Sequence, residues 1–189
     1  MPTADQKITS EGEAIVVDLN KCLACKGCEI ECALVHSSTS DIEEEFVSGS
    51  PLVPRVRVIA AAGRAVPLQC QQCEDAPCVE VCPSGALYKD EITGRTLTAV
   101  EKCIGCKSCI FTCPFGAVEW NNGLHRLIKC DLCEGVIERG EQPACVTGCP
   151  TGARSVRKMA ELSRQRRKTA AERTVRVMSE SREEESSSD

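Results

Sequence analysis

Apolar positions along this chain come in short runs rather than long stripes. Ala14-Ile15-Val16-Val17 closes on Asp18 and reads as a strand. Arg55-Val56-Arg57-Val58-Ile59 alternates polar and apolar residues, the period of a half-buried strand. Ala61-Ala62-Gly63-Arg64 turns the chain into a second short strand at Ala65–Gln69. Ala86–Lys89 and Arg95–Thr98 flank Asp90–Gly94 as a hairpin. Gly116–Trp120 and Leu124–Ile128 flank Asn121-Asn122-Gly123 as another, because Asn-Gly suits the positive φ of a type I′ turn. Cys28–His36 reads as a short helix, and Val156–Val177, charged with Met159, Leu162 and Ala170 scattered through it, as a longer one. The polar stretches are expected to lack regular structure: residues 1–13 are loose, Ser37–Pro54 is a surface excursion, and Ser179–Asp189 is an acidic, serine-rich disordered tail. No apolar run approaches the roughly 18 residues of a membrane span.

Cysteine changes this picture. Cys22, Cys25, Cys28 and Cys32 are separated by two, two and three residues. Cys103, Cys106, Cys109 and Cys113 repeat that spacing and are followed by Pro114. Cys70, Cys73, Cys78 and Cys82, followed by Pro83, carry a two-residue insertion. In the last run Cys130 and Cys133 are parted from Cys145, Cys149 and Pro150 by the insertion Glu134–Ala144. Three thiolates two residues apart wrap one face of an iron–sulfur cube from a single loop, and the fourth cysteine of such a run ligates a neighbouring cube. The 16 cysteines divide into four sets of four with none left over. Structural zinc also uses Cys-x-x-Cys pairs, but two pairs suffice and a third cysteine two residues on is superfluous. Disulfides need an oxidising compartment, and Met1–Ala14 carries no apolar signal core. A reducing cytoplasm and four [4Fe–4S] clusters are the expectation.

Composition agrees. The aromatic residues are Phe46, Tyr88, Phe111, Phe115 and Trp120, sparse for 189 residues, as in a core that is partly inorganic and whose folding depends on metal. The net charge of −5 divides unevenly: residues 154–189 hold ten Lys/Arg and seven Asp/Glu (+3), leaving 13 and 21 (−8) in residues 1–153. An acidic body argues against nucleic acid as the main partner. The basic segment from Arg154 has no interleaved aromatics and suits docking on a partner subunit or simple solvation. Glu43-Glu44-Glu45 reads as a solvated charge run rather than a docking patch. His36 and His125 are far apart and offer no general base; His36 either bonds a sulfur or simply ends a helix. Lys26, Lys107 and Lys129 lie beside ligands and can offset thiolate charge, while Trp120 reads as hairpin packing.

All four runs, from Cys22 through Pro150, resemble the four-cluster electron-transfer subunits of anaerobic oxidoreductases. These accompany dimethyl sulfoxide reductase-type molybdenum enzymes, formate hydrogenlyase, carbon monoxide dehydrogenase and tungsten aldehyde oxidoreductase-type enzymes, including benzoyl-CoA reductase. The resemblance implies an α+β fold of tandem bacterial ferredoxin-like halves with a C-terminal helix. A flexible 1–13 would precede the four-cluster domain 14–153, its inner half spanning about 66–129 and its outer half 14–65 with 130–153. A basic helical tail 154–178 and a disordered 179–189 would follow. It also implies an exchange of ligands. Cys22, Cys25 and Cys28 share a cluster with Cys149; Cys130, Cys133 and Cys145 take Cys32; Cys70, Cys73 and Cys78 take Cys113; Cys103, Cys106 and Cys109 take Cys82. A cube with four thiolates has no open position for substrate, so the chain is expected to be no enzyme by itself. Its role would be to carry electrons between a large catalytic oxidoreductase subunit and a second redox partner, such as a ferredoxin. A free polyferredoxin shuttle and a zinc-stabilised interaction module are the competing readings; neither nucleic-acid binding nor membrane insertion is expected.

Overall fold

The computed structural model describes residues 13–186. Strand β1 (Glu13–Val17) leads into the first cysteine loop, followed by α1 (Gly27–Val35) and α2 (Ile42–Ser48). β2 (Arg57–Ala61) and β3 (Arg64–Leu68) form a hairpin whose two-residue turn, Ala62 and Gly63, has φ of 48° and 73°. Positive φ at both central residues is what a tight right-twisted hairpin demands. The short helix α3 (Pro77–Glu80) begins on proline, whose missing N–H costs nothing at that position. β4 (Leu87–Lys89) pairs with β5 (Thr96–Thr98), and the Asp90 carboxylate closes their loop by accepting from the Thr93 N–H and hydroxyl, both at 2.6 Å. A 3-10 turn (Val100–Lys102) precedes α4 (Ser108–Thr112). β6 (Val118–Asn121) and β7 (Arg126–Lys129) pair next, then α5 (Glu134–Ile137), α6 (Ala144–Thr147), β8 (Arg154–Lys158) and α7 (Met159–Ser186).

The result is an α+β domain of two-stranded antiparallel sheets and short helices with a long C-terminal helix. β1 and β8 bring the two ends of the body together, Ile15 opposite Val156. Sulfur is a large part of the interior. One buried group gathers Ile15, Val56 and Leu132 with Cys28, Cys32, Cys130 and Cys145; the other gathers Leu87, Val118 and Leu127 with Cys78 and Cys109.

Four features differ from the sequence expectation. Residues 154–158, expected in the basic helical tail and from Val156 as helix, are strand β8, because Ile15 and its neighbours need an edge partner and Arg154-Ser155-Val156 alternates to supply one. Helix α7 then runs to Ser186, about 42 Å at 1.5 Å per residue, and so takes in most of the stretch expected to be disordered; residues 187–189, like 1–12, lie outside the described residues. The Asn-Gly hairpin forms, but as a four-residue loop between Asn121 and Arg126 with the positive φ at His125 (47°); the Asn121 side chain accepts from Leu124 N–H at 2.8 Å and widens the turn. Within 37–54, Asp41 caps α2 by accepting from Glu43 and Glu44 N–H. Glu45 there is no solvated charge: only 1% exposed, it accepts from the Ser38 hydroxyl and from Thr39 N–H and hydroxyl at 2.8–3.0 Å.

Candidate metal centres

The four cysteine loops share one backbone device. The residue two past the first cysteine of each run has positive φ: Ala24 (57°), Gln72 (53°), Gly105 (70°) and Leu132 (61°). Three of these are not glycine, and such strain, about 1–3 kcal/mol each, persists only where the surroundings over-determine it. The reversal turns successive amides inward, the backbone nest found at anion and iron–sulfur sites. Gln72 N–H thus donates to Cys70 Sγ at 3.4 Å, and Leu132 N–H to Cys130 Sγ at 3.4 Å. Lys26 (59°) and Lys107 (64°) add a second reversal just before α1 and α4. The final cysteines of the runs receive backbone N–H donors as well: Leu87 to Cys82 at 3.5 Å, Ala117 to Cys113 at 3.4 Å, and Arg55 to Cys32 at 3.3 Å.

The fold gathers these thiols into groups. One cavity is lined by Cys70, Cys73, Cys78 and Cys113, a second by Cys82, Cys103, Cys106 and Cys109, and a third by Cys22, Cys25, Cys28 and Cys149. Cys130, Cys145 and Cys32 meet in the first buried group, and both Cys32 and Cys145 act electrostatically on Cys133. Each group joins three cysteines of one run to the last cysteine of another. Cys25 and Cys106 are exposed, whereas Cys130, Cys133 and Cys145 are buried. Large apolar side chains stand in solvent in the same stretches: Leu23 (71%) between Cys22 and Cys25, Ile104 (68%) between Cys103 and Cys106, and Phe111 (88%) on α4 between Cys109 and Cys113.

Burial sets the electrostatics. It pushes the Cys109 thiol up to about 11, the Cys133 thiol up to about 12, and Cys130 well above its ordinary value. A metal-free interior of this kind would hold neutral thiols, so thiolates here require a bound cationic centre. Cys106 is lowered by hydrogen bonds from the Ser108 amide and hydroxyl. Around Cys32, burial opposes protonation of His36, but bonds to Asp131 and Cys32 outweigh it and lift the imidazole to about 9. Asp131 also pairs with Arg55 and accepts from the Cys133 N–H at 2.9 Å, and these bonds bring His36, Asp131 and Cys133 close together.

The lysines take different roles. Lys129 is buried and donates to Thr96 C=O at 2.5 Å and Cys130 C=O at 2.9 Å, stitching one cysteine neighbourhood to the next. Lys107 lies 5.3 Å over the ring of Trp120, which itself covers Gly105. His125 is exposed in its turn.

One residue escaped the sequence reading. Arg154 is 2% exposed and has no carboxylate partner among the described residues. Its Nη2 donates to Cys145 Sγ at 3.4 Å and Gln69 Oε1 at 3.0 Å, while Nε and Nη1 find no acceptor. It also lines the cavity of Cys22, Cys25, Cys28 and Cys149. The signal was a second repeat: Cys82-Pro-Ser-Gly-Ala-Leu87, Cys113-Pro-Phe-Gly-Ala-Val118 and Cys149-Pro-Thr-Gly-Ala-Arg154. Leu87 and Val118 are each 2% exposed too, so an arginine occupies what is elsewhere a buried aliphatic position.

These features fit [4Fe–4S] clusters: sets of four thiols, amides directed at sulfur, and buried guanidinium donors that need an anionic acceptor.

Residues 62–159 match the model of a 4Fe-4S dicluster domain family. An iron-sulfur protein of Rhodospirillum rubrum is 39% identical over 157 residues, covering 76% of this chain and 80% of that protein. The electron transport protein HydN of Escherichia coli (strain K12) is 35% identical over 175 residues, covering 83% and 96%. A sulfite dehydrogenase subunit of Allochromatium vinosum is 36% identical over 159 residues, covering 75% and 66%.

Proposed function

The chain belongs to the 4Fe-4S dicluster family, and from that premise we propose that its four cysteine groups form a row carrying electrons between a catalytic oxidoreductase subunit and a second redox protein. It is an iron–sulfur electron-transfer protein with four [4Fe–4S] clusters, not itself a catalytic subunit, as the names of its relatives indicate. When bound, the clusters supply one-electron transfer with no bond made or broken in a substrate. The protein's part is to fix their spacing, exclude water and set the charge around each.

The observation that carries the reading is the convergence of thiols into groups of four drawn from two runs each. We assign Cys70, Cys73, Cys78 and Cys113 to one cluster and Cys103, Cys106, Cys109 and Cys82 to its neighbour. Cys130, Cys133, Cys145 and Cys32 hold the third; Cys22, Cys25, Cys28 and Cys149 hold the fourth. On this assignment residues 66–129 make an inner ferredoxin-like half, and 14–65 with 130–153 an outer one. Contacts suggest the order of the row. Cys70 packs against the buried group of Cys130 and Cys145, and Gln72 bridges Thr96 N–H (2.8 Å) and Cys130 C=O (3.0 Å). The ends are then the Cys106 and Cys25 groups, where exposed thiols and solvent-facing Leu23, Ile104 and Phe111 give partners an apolar landing close to the cluster. Among the described residues no helix is long and apolar enough to cross a membrane. Sixteen cysteines all committed to metal suit a reducing, cytoplasmic setting.

The Allochromatium vinosum relative is named as one subunit of a sulfite dehydrogenase, and a catalytic partner for this chain is proposed by that analogy. The largely exposed basic stretch 160–176 of α7 offers an arm for that contact. Anaerobic isolation from the native cell tests the reading. The account expects iron and acid-labile sulfide for four clusters, visible absorbance bleached by dithionite, and copurification with a large oxidoreductase subunit. A colourless, zinc-loaded chain would overturn the cofactor assignment; a coloured monomer with no partner would replace the subunit by a diffusing shuttle.

A further inference from the structure

We infer that Arg154 is a buried counter-charge that raises the reduction potential of the outer two clusters. This rests on the assignment of the cysteines to four clusters. The argument starts from cost. Burying a guanidinium at an aliphatic position is expensive unless an anion repays the lost hydration. Leu87 and Val118, at the equivalent place after Cys82 and Cys113, show that the backbone needs only a small apolar side chain there. Arg154 is nonetheless 2% exposed, and no carboxylate neutralises it among the described residues.

The groups that do face it are sulfur. Nη2 reaches Cys145 Sγ at 3.4 Å, and the same side chain lines the cavity of Cys22, Cys25, Cys28 and Cys149. Gln69, itself bonded to Ile15 C=O, holds the guanidinium in this position. Nε and Nη1 remain as donors with no acceptor, in a side chain between two thiol groups. Adding one electron to either site adds one negative charge and requires no proton, so a fixed positive charge between them favours the reduced state of both. The inner pair has Leu87 and Val118 at the equivalent positions, and its buried cation, Lys129, donates instead to the Thr96 and Cys130 carbonyl oxygens.

The test is a dithionite potentiometric titration of the anaerobically isolated holoprotein, followed by EPR, in the wild type, Arg154→Gln and Arg154→Lys. With iron content unchanged, Arg154→Gln should make reduction of at least one cluster tenfold less favourable, about 59 mV for one electron, with two clusters unmoved. Arg154→Lys should stay near the wild type because the charge remains. Unchanged potentials in a fully loaded Arg154→Gln protein would overturn the inference while leaving the four-cluster reading intact. Loss of iron from Arg154→Gln in place of a shift would also overturn it, by making Arg154 a structural counter-ion. A wild-type protein without four clusters would instead remove the underlying reading.

Discussion

The two cysteine neighbourhoods of this chain use the same parts and are closed in opposite ways. Around the two middle runs, the supporting hairpins β4–β5 and β6–β7 are local, their strands separated by short loops. Around the first and last runs, support comes from β1 and β8, which join Glu13 to Lys158, and from α1 against α6. The inner neighbourhood fills its repeat positions with Leu87 and Val118; the outer one uses Arg154. The inner helices tolerate Ser108 where the outer pair has Gly27, whose missing Cβ would lie 2.9 Å from the Gly148 carbonyl oxygen. One ligand plan therefore supports two environments: one braced by local hairpins, with Lys129 buried against backbone carbonyls, and a closely packed one that depends on the chain closing on itself and sets Arg154 against sulfur.

The largest effect should come from removing the metal. Because buried thiols are part of both cores, chelation of iron should abolish cooperative unfolding of the whole body. Hydrogen exchange should show Ile15 and Val156 deprotected first, since their pairing spans the chain; persistent β1–β8 protection after inner collapse would reverse the comparison. Next, Leu87→Arg installs the outer residue at the inner position without its Gln69 and Cys145 partners. An uncompensated buried charge should cost about 3–5 kcal/mol in thermal or denaturant unfolding of the holoprotein. Gly27→Ala should cost about 1–3 kcal/mol by forcing α1 from α6, whereas Ser108→Ala should cost under about 1 kcal/mol, the loss of one hydrogen bond. Equal effects would mean that the two helix pairs are not packed differently.

The smallest effect should fall on α2, outside both neighbourhoods. Hydrogen bonds from Thr39 and Ser38 hold the Glu45 carboxyl down at about 2 against an ordinary 4.5. A lowered carboxylate stabilises above 4.5 and loses that contribution as pH falls toward 2. Glu45→Gln should mimic the loss at neutral pH, exposing residues 37–50 to proteolysis while iron content stays constant.

The fold was legible where a local rule decides it. Gly63 announced the β2–β3 turn, the Cys28–His36 helix was placed within a residue, and the spacing of the cysteine runs announced the cofactor. Long-range pairing was not legible. The Cys-Pro-x-Gly-Ala repeat that leads into β4 and β6 also leads into β8, but the alternation of Arg154–Lys158 is too short to set it apart from the charged helical run that follows, and its partner β1 lies at the far end of the chain. Consequently a truncation at residue 155, harmless if that segment were a helical tail, would strip β8 from the body, whereas one after Lys158 removes α7 alone. Glu45 looked like one of three solvated glutamates because the donors that bury it come from a loop folded back over it. Arg154 was hidden for a different reason: it read as one cation in a basic tail until burial set it beside Leu87 and Val118.

The central claim is that the fourth cysteine of one run serves the cluster of another, and paired variants test it most directly. Cys70→Ala and Cys113→Ala should each cost one cluster, and the double variant should lose that same single cluster. Cys103→Ala combined with Cys113→Ala should lose two. Iron and sulfide counts on the anaerobic holoproteins decide it: two clusters lost from Cys70/Cys113, with one lost from Cys103/Cys113, would contradict the exchange and the interlocked row built upon it.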